Sequence, residues 1–144
     1  MRTLEKIKLW GSLVRSMSYR ENFLLIARLV DYYFTVVLFS RKTVVRLVNG
    51  YKMQLSFEEP GISKGLLLFR TREKAELGVV KKILKPGMRF LDIGANIGFY
   101  TILAAKIVGK NGKVFAYEPY PASYKVLIEN IKLTGISDIV DAHN

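Results

Sequence analysis

Apolar and polar positions along this chain change period from segment to segment, and each period predicts an element. Thr43 to Val48 and Tyr51 to Phe57 are strand-like runs on either side of Asn49-Gly50, a pair that tolerates positive φ and predicts a tight β-hairpin. Glu58 to Gly61 follows as a loop, and Glu73 to Leu84 has helical spacing. There Leu77, Val80, Ile83 and Leu84 are expected to face a core, with Lys81, Lys82 and Lys85 facing water. Met88 to Ile93, behind the turn pair Pro86-Gly87, is a short apolar run of the kind found in buried parallel strands. Ile97, Tyr100, Thr101, Leu103, Ala104, Ile107 and Val108 then recur at helical spacing up to Gly109, a helix stop. Further strands are expected over Lys113 to Glu118 and near Asp138 to Ala142.

The first forty residues mix apolar and basic side chains, densest in apolar character from Phe23 to Phe39. Arg28 and Asp31 interrupt that stretch, so it is too short and too charged for an ordinary membrane span, although three residues apart on a helix they are within pairing reach. No small-residue cleavage site follows Phe39, which argues against a signal peptide. Helices packed on the following domain are the favoured reading. A membrane-surface segment and an acceptor-binding cap stay open beside it. The domain division expected is 1–42 for this segment and 43–144 for the rest.

Chemistry enters at Asp92-Ile93-Gly94-Ala95-Asn96-Ile97-Gly98, which joins the Met88 strand to the next helix. Glycines let such a turn take unusual dihedrals, and the free N–H groups of the new helix point into the same space. Twenty residues beyond Gly98, the next strand ends in Glu118-Pro119, an acid at the distance at which βαβ units bind ribose hydroxyls. The middle glycine of G-x-G-x-x-G is missing, and an anionic Asp92 would repel a diphosphate but attract an amino or sulfonium group. Both features favour S-adenosylmethionine (SAM) over NAD, which remains the rival nucleotide. No P-loop occurs, and no metal is expected from the spacing of His, Asp and Glu.

At these residues the chain resembles the FkbM-type branch of the class I SAM-dependent methyltransferases. The resemblance covers roughly residues 44 to 144 and rests on Lys85 to Thr101, Gly112-Lys113-Val114 and Glu118-Pro119-Tyr120-Pro121, reaching upstream to Glu73. Thr134 departs from it, standing where Leu-Asn-Gly is usual. The resemblance implies an α/β, Rossmann-like class I methyltransferase fold, preceded here by N-terminal helices and a β-hairpin. It also implies Asp92, Gly94, Asn96, Gly98 and Thr101 around the methionine portion of SAM, and Glu118 on the ribose. The implied reaction is O-methylation of a hydroxyl on a glycan, lipid-linked or small-molecule acceptor, with the catalytic base unassigned. A full domain of this kind has seven strands, and this one is truncated after about the third. The isolated chain is therefore expected to have little activity unless a second chain completes the sheet. A non-catalytic nucleotide-binding or membrane-associated subunit is the alternative.

Composition changes this picture little. Lys plus Arg is 23 against 12 for Asp plus Glu, a formal charge of +11. That excess suits anionic lipid or glycan as well as nucleic acid; a basic surface without a dedicated nucleic-acid partner is the expectation. The absence of cysteine agrees with a cytoplasmic setting, with peripheral membrane contact left open. His143, the lone histidine, is expected to be a solvated residue.

Overall fold

Ser18 and Glu21 start the first helix by exchanging bonds. The Ser18 hydroxyl accepts from the Glu21 N–H at 3.3 Å and the Glu21 carboxylate accepts from the Ser18 N–H at 2.9 Å, satisfying two donors that a helix start leaves over. The computed structural model describes residues 18–58, 61–69 and 74–144; the helical character expected of residues 1 to 17, and Glu59 and Glu73, lie outside them. Helix α1 spans Tyr19–Tyr32 and widens into a π-helical turn over Tyr33–Leu38, where the Phe39 N–H bonds back to the Phe34 carbonyl. Thr35 donates its hydroxyl to the Asp31 carbonyl at 2.6 Å, competing for an acceptor of the helical ladder. The β-branched run Thr35-Val36-Val37 adds crowding at the same place. No helix among the described residues is long and apolar enough to cross a membrane. This unit ends at Ser40, and a second unit runs from Arg41 to Asn144.

The second unit opens with the expected hairpin. Strands β1 (Thr43–Val48) and β2 (Tyr51–Ser56) pair antiparallel with Val48 opposite Tyr51, and Asn49 and Gly50 both take positive φ. A two-stranded ribbon leaves its outer backbone groups unpaired, and here side chains satisfy them. The Gln54 N–H donates to Asn130 Oδ1 at 2.6 Å, Asn130 Nδ2 donates back to the Gln54 carbonyl at 3.0 Å, and the Ser56 N–H donates to Ser63 Oγ at 3.0 Å. Ser63 belongs to helix α2 (Gly61–Phe69). Asn130 sits far along the chain and is fully buried. Its Nδ2 also donates to the Ile97 carbonyl at 2.8 Å, so one amide joins the hairpin to the glycine turn.

After helix α3 (Lys74–Ile83), strands β3 (Arg89–Ile93), β4 (Lys113–Tyr117) and β5 (Val140–His143) form a parallel sheet in the order β3-β4-β5. Helices α4 (Phe99–Val108) and α5 (Pro121–Thr134) are the crossovers. Pro121 opens α5, where a missing N–H costs nothing, and Gly135 closes it in the left-handed region. The architecture is α/β and Rossmann-like, as expected. Alternate strand residues Val114, Ala116 and Val140 are buried with α4 and α5, and α4 is apolar nearly all round. On the opposite face Leu91, Ile93 and Tyr117 are exposed, Ile93 at 79 %. β3 is also an end strand, so both that face and that edge stand open among the described residues.

Two expectations are corrected. Ile83 is exposed rather than in the core, which takes Leu77 and Leu84 instead, because the helix ends at Ile83 and the chain turns there. The last strand begins at Val140, not Asp138, since Ile136 to Ile139 form a turn with the Ile139 N–H bonded to the Ile136 carbonyl. Truncating Asn130 would leave two buried carbonyls and one N–H without partners. Asn130→Ala should lower unfolding stability by about 3 kcal/mol in chemical denaturation, and an unchanged midpoint would contradict the role assigned to it.

Candidate functional site

The glycine turn is a bridge between two strand ends. The Gly94 and Ala95 N–H groups both donate to the Tyr117 carbonyl, at 2.8 and 3.0 Å, drawing the end of β3 against the end of β4. Asn96 takes φ +50° and stabilises itself there, its Oδ1 accepting from the Ile97 N–H at 2.9 Å. Its N–H donates to Glu118 Oε2 at 2.7 Å, and Glu118 Oε1 accepts from the Tyr120 N–H at 2.8 Å. Glu118 is buried, and its backbone is fixed as well: its N–H donates to the His143 carbonyl at 2.9 Å and its carbonyl accepts from Asn144 Nδ2 at 2.7 Å. The structure thus brings Glu118 and the turn together, as the spacing required.

The two outer glycines have different jobs. At Gly98, φ is +90° and an added Cβ would lie 2.7 Å from Leu127 Cδ1, so that position lets α5 pack against the turn. At Gly94, φ is +77° and an added Cβ would meet nothing within 4 Å. The open space is at Gly94, and a ligand approaching the turn has access there. Thr101 is fully buried and donates its hydroxyl to Asp92 Oδ2 at 2.5 Å, which positions that carboxyl group.

Burial raises the Asp92 pKa above the ordinary carboxylate value, hydrogen bonds from the Thr101 hydroxyl and backbone oppose the shift, and the Glu118 charge adds to it. An approaching cation would relieve that cost. A carboxylate has about four lone-pair sites, and the bonds to Asn96 and Tyr120 use two of those on Glu118. The other two suffice for a vicinal pair of ribose hydroxyls. Open backbone at Gly94, a buried acid at Asp92 and spare acceptor capacity at Glu118 fit a cationic nucleoside such as SAM.

Beside the turn lies a cavity of about 270 Å³, lined by Ser56, Ile62, Ser63, Asn96, Ile97 and Tyr120 among others. It reaches the turn from the hairpin side and does not include Asp92 or Gly94. Glu58 on its rim pairs with Lys42 at 3.1 Å in an exposed bridge. His143 is not simply solvated: its ring stacks on Tyr117 with centroids 4.7 Å apart, and Nε2 lies 3.2 Å from Asp141 Oδ1. Among the described residues no three His, Asp or Glu side chains are grouped to hold a metal ion. Asn130, Ser63 and Tyr120 were not among the residues expected at the site. The polar Asn130 in an otherwise apolar stripe of α5, with Val126, Leu127 and Ile131, was the signal for the first.

Comparison with known proteins adds to this geometry. The family model of the TRM5/TYW2 methyltransferase domain matches residues 45–144. The chain is 31 % identical, over 75 % of its length, to 36 % of the tRNA(Phe) (4-demethylwyosine(37)-C(7)) aminocarboxypropyltransferase of Pyrococcus horikoshii. It is 36 % identical, over 42 % of its length, to 26 % of protein-L-isoaspartate O-methyltransferase 1 of Arabidopsis thaliana. Among solved structures, TYW2 of M. jannaschii in complex with AdoMet superposes with a TM-score of 0.57 at 26 % identity, covering 72 % of this chain and 43 % of that one. The chain therefore spans between 17 % and 36 % of the length of the curated relatives it matches. The match is to a class I SAM methyltransferase family, but not to the FkbM type that the motif string resembles. A glycine turn followed by an acid after the next strand is a pattern shared widely among nucleotide-binding βαβ units, so it says little about the branch.

The sign of the Asp92 effect is testable. Because its folded-state pKa is raised, the protonated side chain favours folding below the ordinary carboxylate value, and that contribution is lost as pH rises through the raised value and the buried group ionises. Asp92→Asn should therefore melt higher than the parent at neutral pH without ligand, with the difference shrinking on acidification. A variant that melts lower at neutral pH, with the deficit independent of pH, would show that Asp92 is instead a structural acceptor.

Proposed function

Since the chain belongs to the TRM5/TYW2 methyltransferase domain family, we propose that it carries the SAM-binding half of a methyltransferase acting on a base of tRNA. The observation that carries the donor side of this reading is Glu118, which holds the glycine turn with one lone pair on each oxygen and keeps the other pair for a ribose. When bound, SAM supplies an activated methyl group on a sulfonium, so the acceptor atom gains the methyl and S-adenosylhomocysteine leaves. Glu118 would orient the adenosine, Gly94 would admit its neighbour to the backbone, and Asp92 would face the cationic part, held there by Thr101.

The acceptor side rests on relatives. Relatives matching over two thirds of this chain or more include proteins named as tRNA-modifying enzymes, one an aminocarboxypropyltransferase and another, from mouse, a guanine(37)-N(1)-methyltransferase. A charge of +11 agrees with a polyanionic acceptor. This reading replaces the hydroxyl of a glycan, lipid-linked or small molecule, and it replaces the expectation that nucleic acid is an improbable partner. It agrees with a cytoplasmic setting. Turnover would require a polypeptide that adds a parallel strand beside β3 and covers Leu91, Ile93 and Tyr117, since SAM is otherwise held from one side only.

Calorimetric titration tests the donor half. The parent chain should bind SAM and S-adenosylhomocysteine saturably, and Glu118→Gln should weaken both by roughly tenfold or more, the usual cost of losing bonds to a charged acceptor. NAD binding in place of SAM, or SAM binding indifferent to Glu118, would overturn the reading. In a parallel filter-binding assay, tRNA retention that falls steeply with salt is expected; no retention at low salt would remove the acceptor assignment and leave the donor site standing.

A further inference from the structure

In the N-terminal unit Tyr19, Phe23, Ile26, Val30 and Tyr33 follow one another at steps of four, three, four and three. At 3.6 residues per turn they share one face of α1. All five are exposed, Tyr19 at 96 %, Phe23 at 70 % and Ile26 at 60 %. Leu29 and Phe34 widen the face, and Val37, Leu38 and Phe39 continue the exposed apolar surface past the π-turn. Such a surface is too large to be the scatter of single apolar residues that an aqueous protein carries.

We propose that this face docks in the plane of an anionic phospholipid surface. Three observations favour that occupant. The segment Tyr19–Leu38 contains Arg20, Glu21, Arg28 and Asp31, too many ions for a span, and no described helix qualifies as one. Residues 1 to 40 carry six basic and three acidic side chains, a basic excess complementary to anionic headgroups. The face is also broader than a two-stranded coiled-coil seam and rich in aromatic rings. A seam would be flanked by charges, but the positions beside it include Ala27, Leu29 and Phe34. An apolar arc with aromatic residues opposite a charged face is the pattern of helices that lie in an interface.

The segment is independent of the glycine turn, so this proposal stands or falls apart from the SAM site. Purified full-length chain is mixed with vesicles of phosphatidylcholine alone or with phosphatidylglycerol added, and sedimented. Binding is expected to the anionic vesicles, weaker by roughly tenfold to neutral ones and largely reversed in about 1 M salt, where the Debye length is about 3 Å. Phe23→Ser with Ile26→Ser should lower the bound fraction by roughly tenfold, with an unchanged circular dichroism spectrum because both side chains face solvent. Protein that stays in the supernatant with anionic vesicles overturns the proposal. So does analytical ultracentrifugation showing a dimer that the same double variant dissociates, which would make a second copy the occupant. Loss of tRNA binding in the double variant, with vesicle binding intact, would make RNA the occupant and overturn it equally.

Discussion

The carboxylate of Glu118 is buried at the end of β4 with a backbone N–H on each of its oxygens, Asn96 at 2.7 Å and Tyr120 at 2.8 Å. Much of the second unit is arranged around that pair of bonds. Asn96 lies in a turn that would otherwise be held to β4 only through the Tyr117 carbonyl, and Tyr120 is the residue from which α5 departs. A buried charge is tolerated when it is hydrogen-bonded, and here both bonds come from main chain that must be ordered for the site to exist. The acid is thus a fold determinant whatever it binds. The same geometry leaves half its acceptor capacity over.

Asn130 extends this constraint to the hairpin. Its amide acts as a short piece of strand for Gln54 and as a donor for Ile97, so β2, the turn and α5 meet at one side chain. Gly98 makes the meeting possible by letting Leu127 approach. Asp92 is the strained member of the group, buried next to another acid and held by Thr101. Acids whose ionisation is penalised by burial and a neighbouring acid cluster at functional sites.

How much of this was legible in the sequence follows from the range of the interactions. The hairpin at Asn49-Gly50, the turn from Asp92 to Gly98 and the partnership with Glu118 depend on local chemistry or on spacing within one βαβ unit, and all three were readable. The pairing of Asn130 was not, because its partner Gln54 is 76 positions away: a polar residue in an apolar stripe signals a buried amide but not which backbone it meets. Helix α2 has no counterpart among the expected elements, where only Glu58 to Gly61 is a loop; Gly61 and Gly65 lower its helical propensity, and Leu66, Leu67 and Leu68, all buried, supply the packing that overrides it. That Thr101 holds Asp92 and that Gly98 admits Leu127 depends on packing the motif string does not show. The acceptor class was not legible, because the recognisable motifs are of a kind common to many nucleotide-binding βαβ units.

The central claim is that Glu118 holds the turn ready before any ligand arrives. Amide hydrogen exchange at Asn96 and Tyr120, followed by NMR in ligand-free protein, tests it most directly. The account predicts that both amides exchange slowly in the parent chain and that both accelerate together in Glu118→Ala, while amides in the centre of β4 keep their protection. Rapid exchange at Asn96 in the parent chain, or protection that survives the loss of the carboxylate, would contradict it.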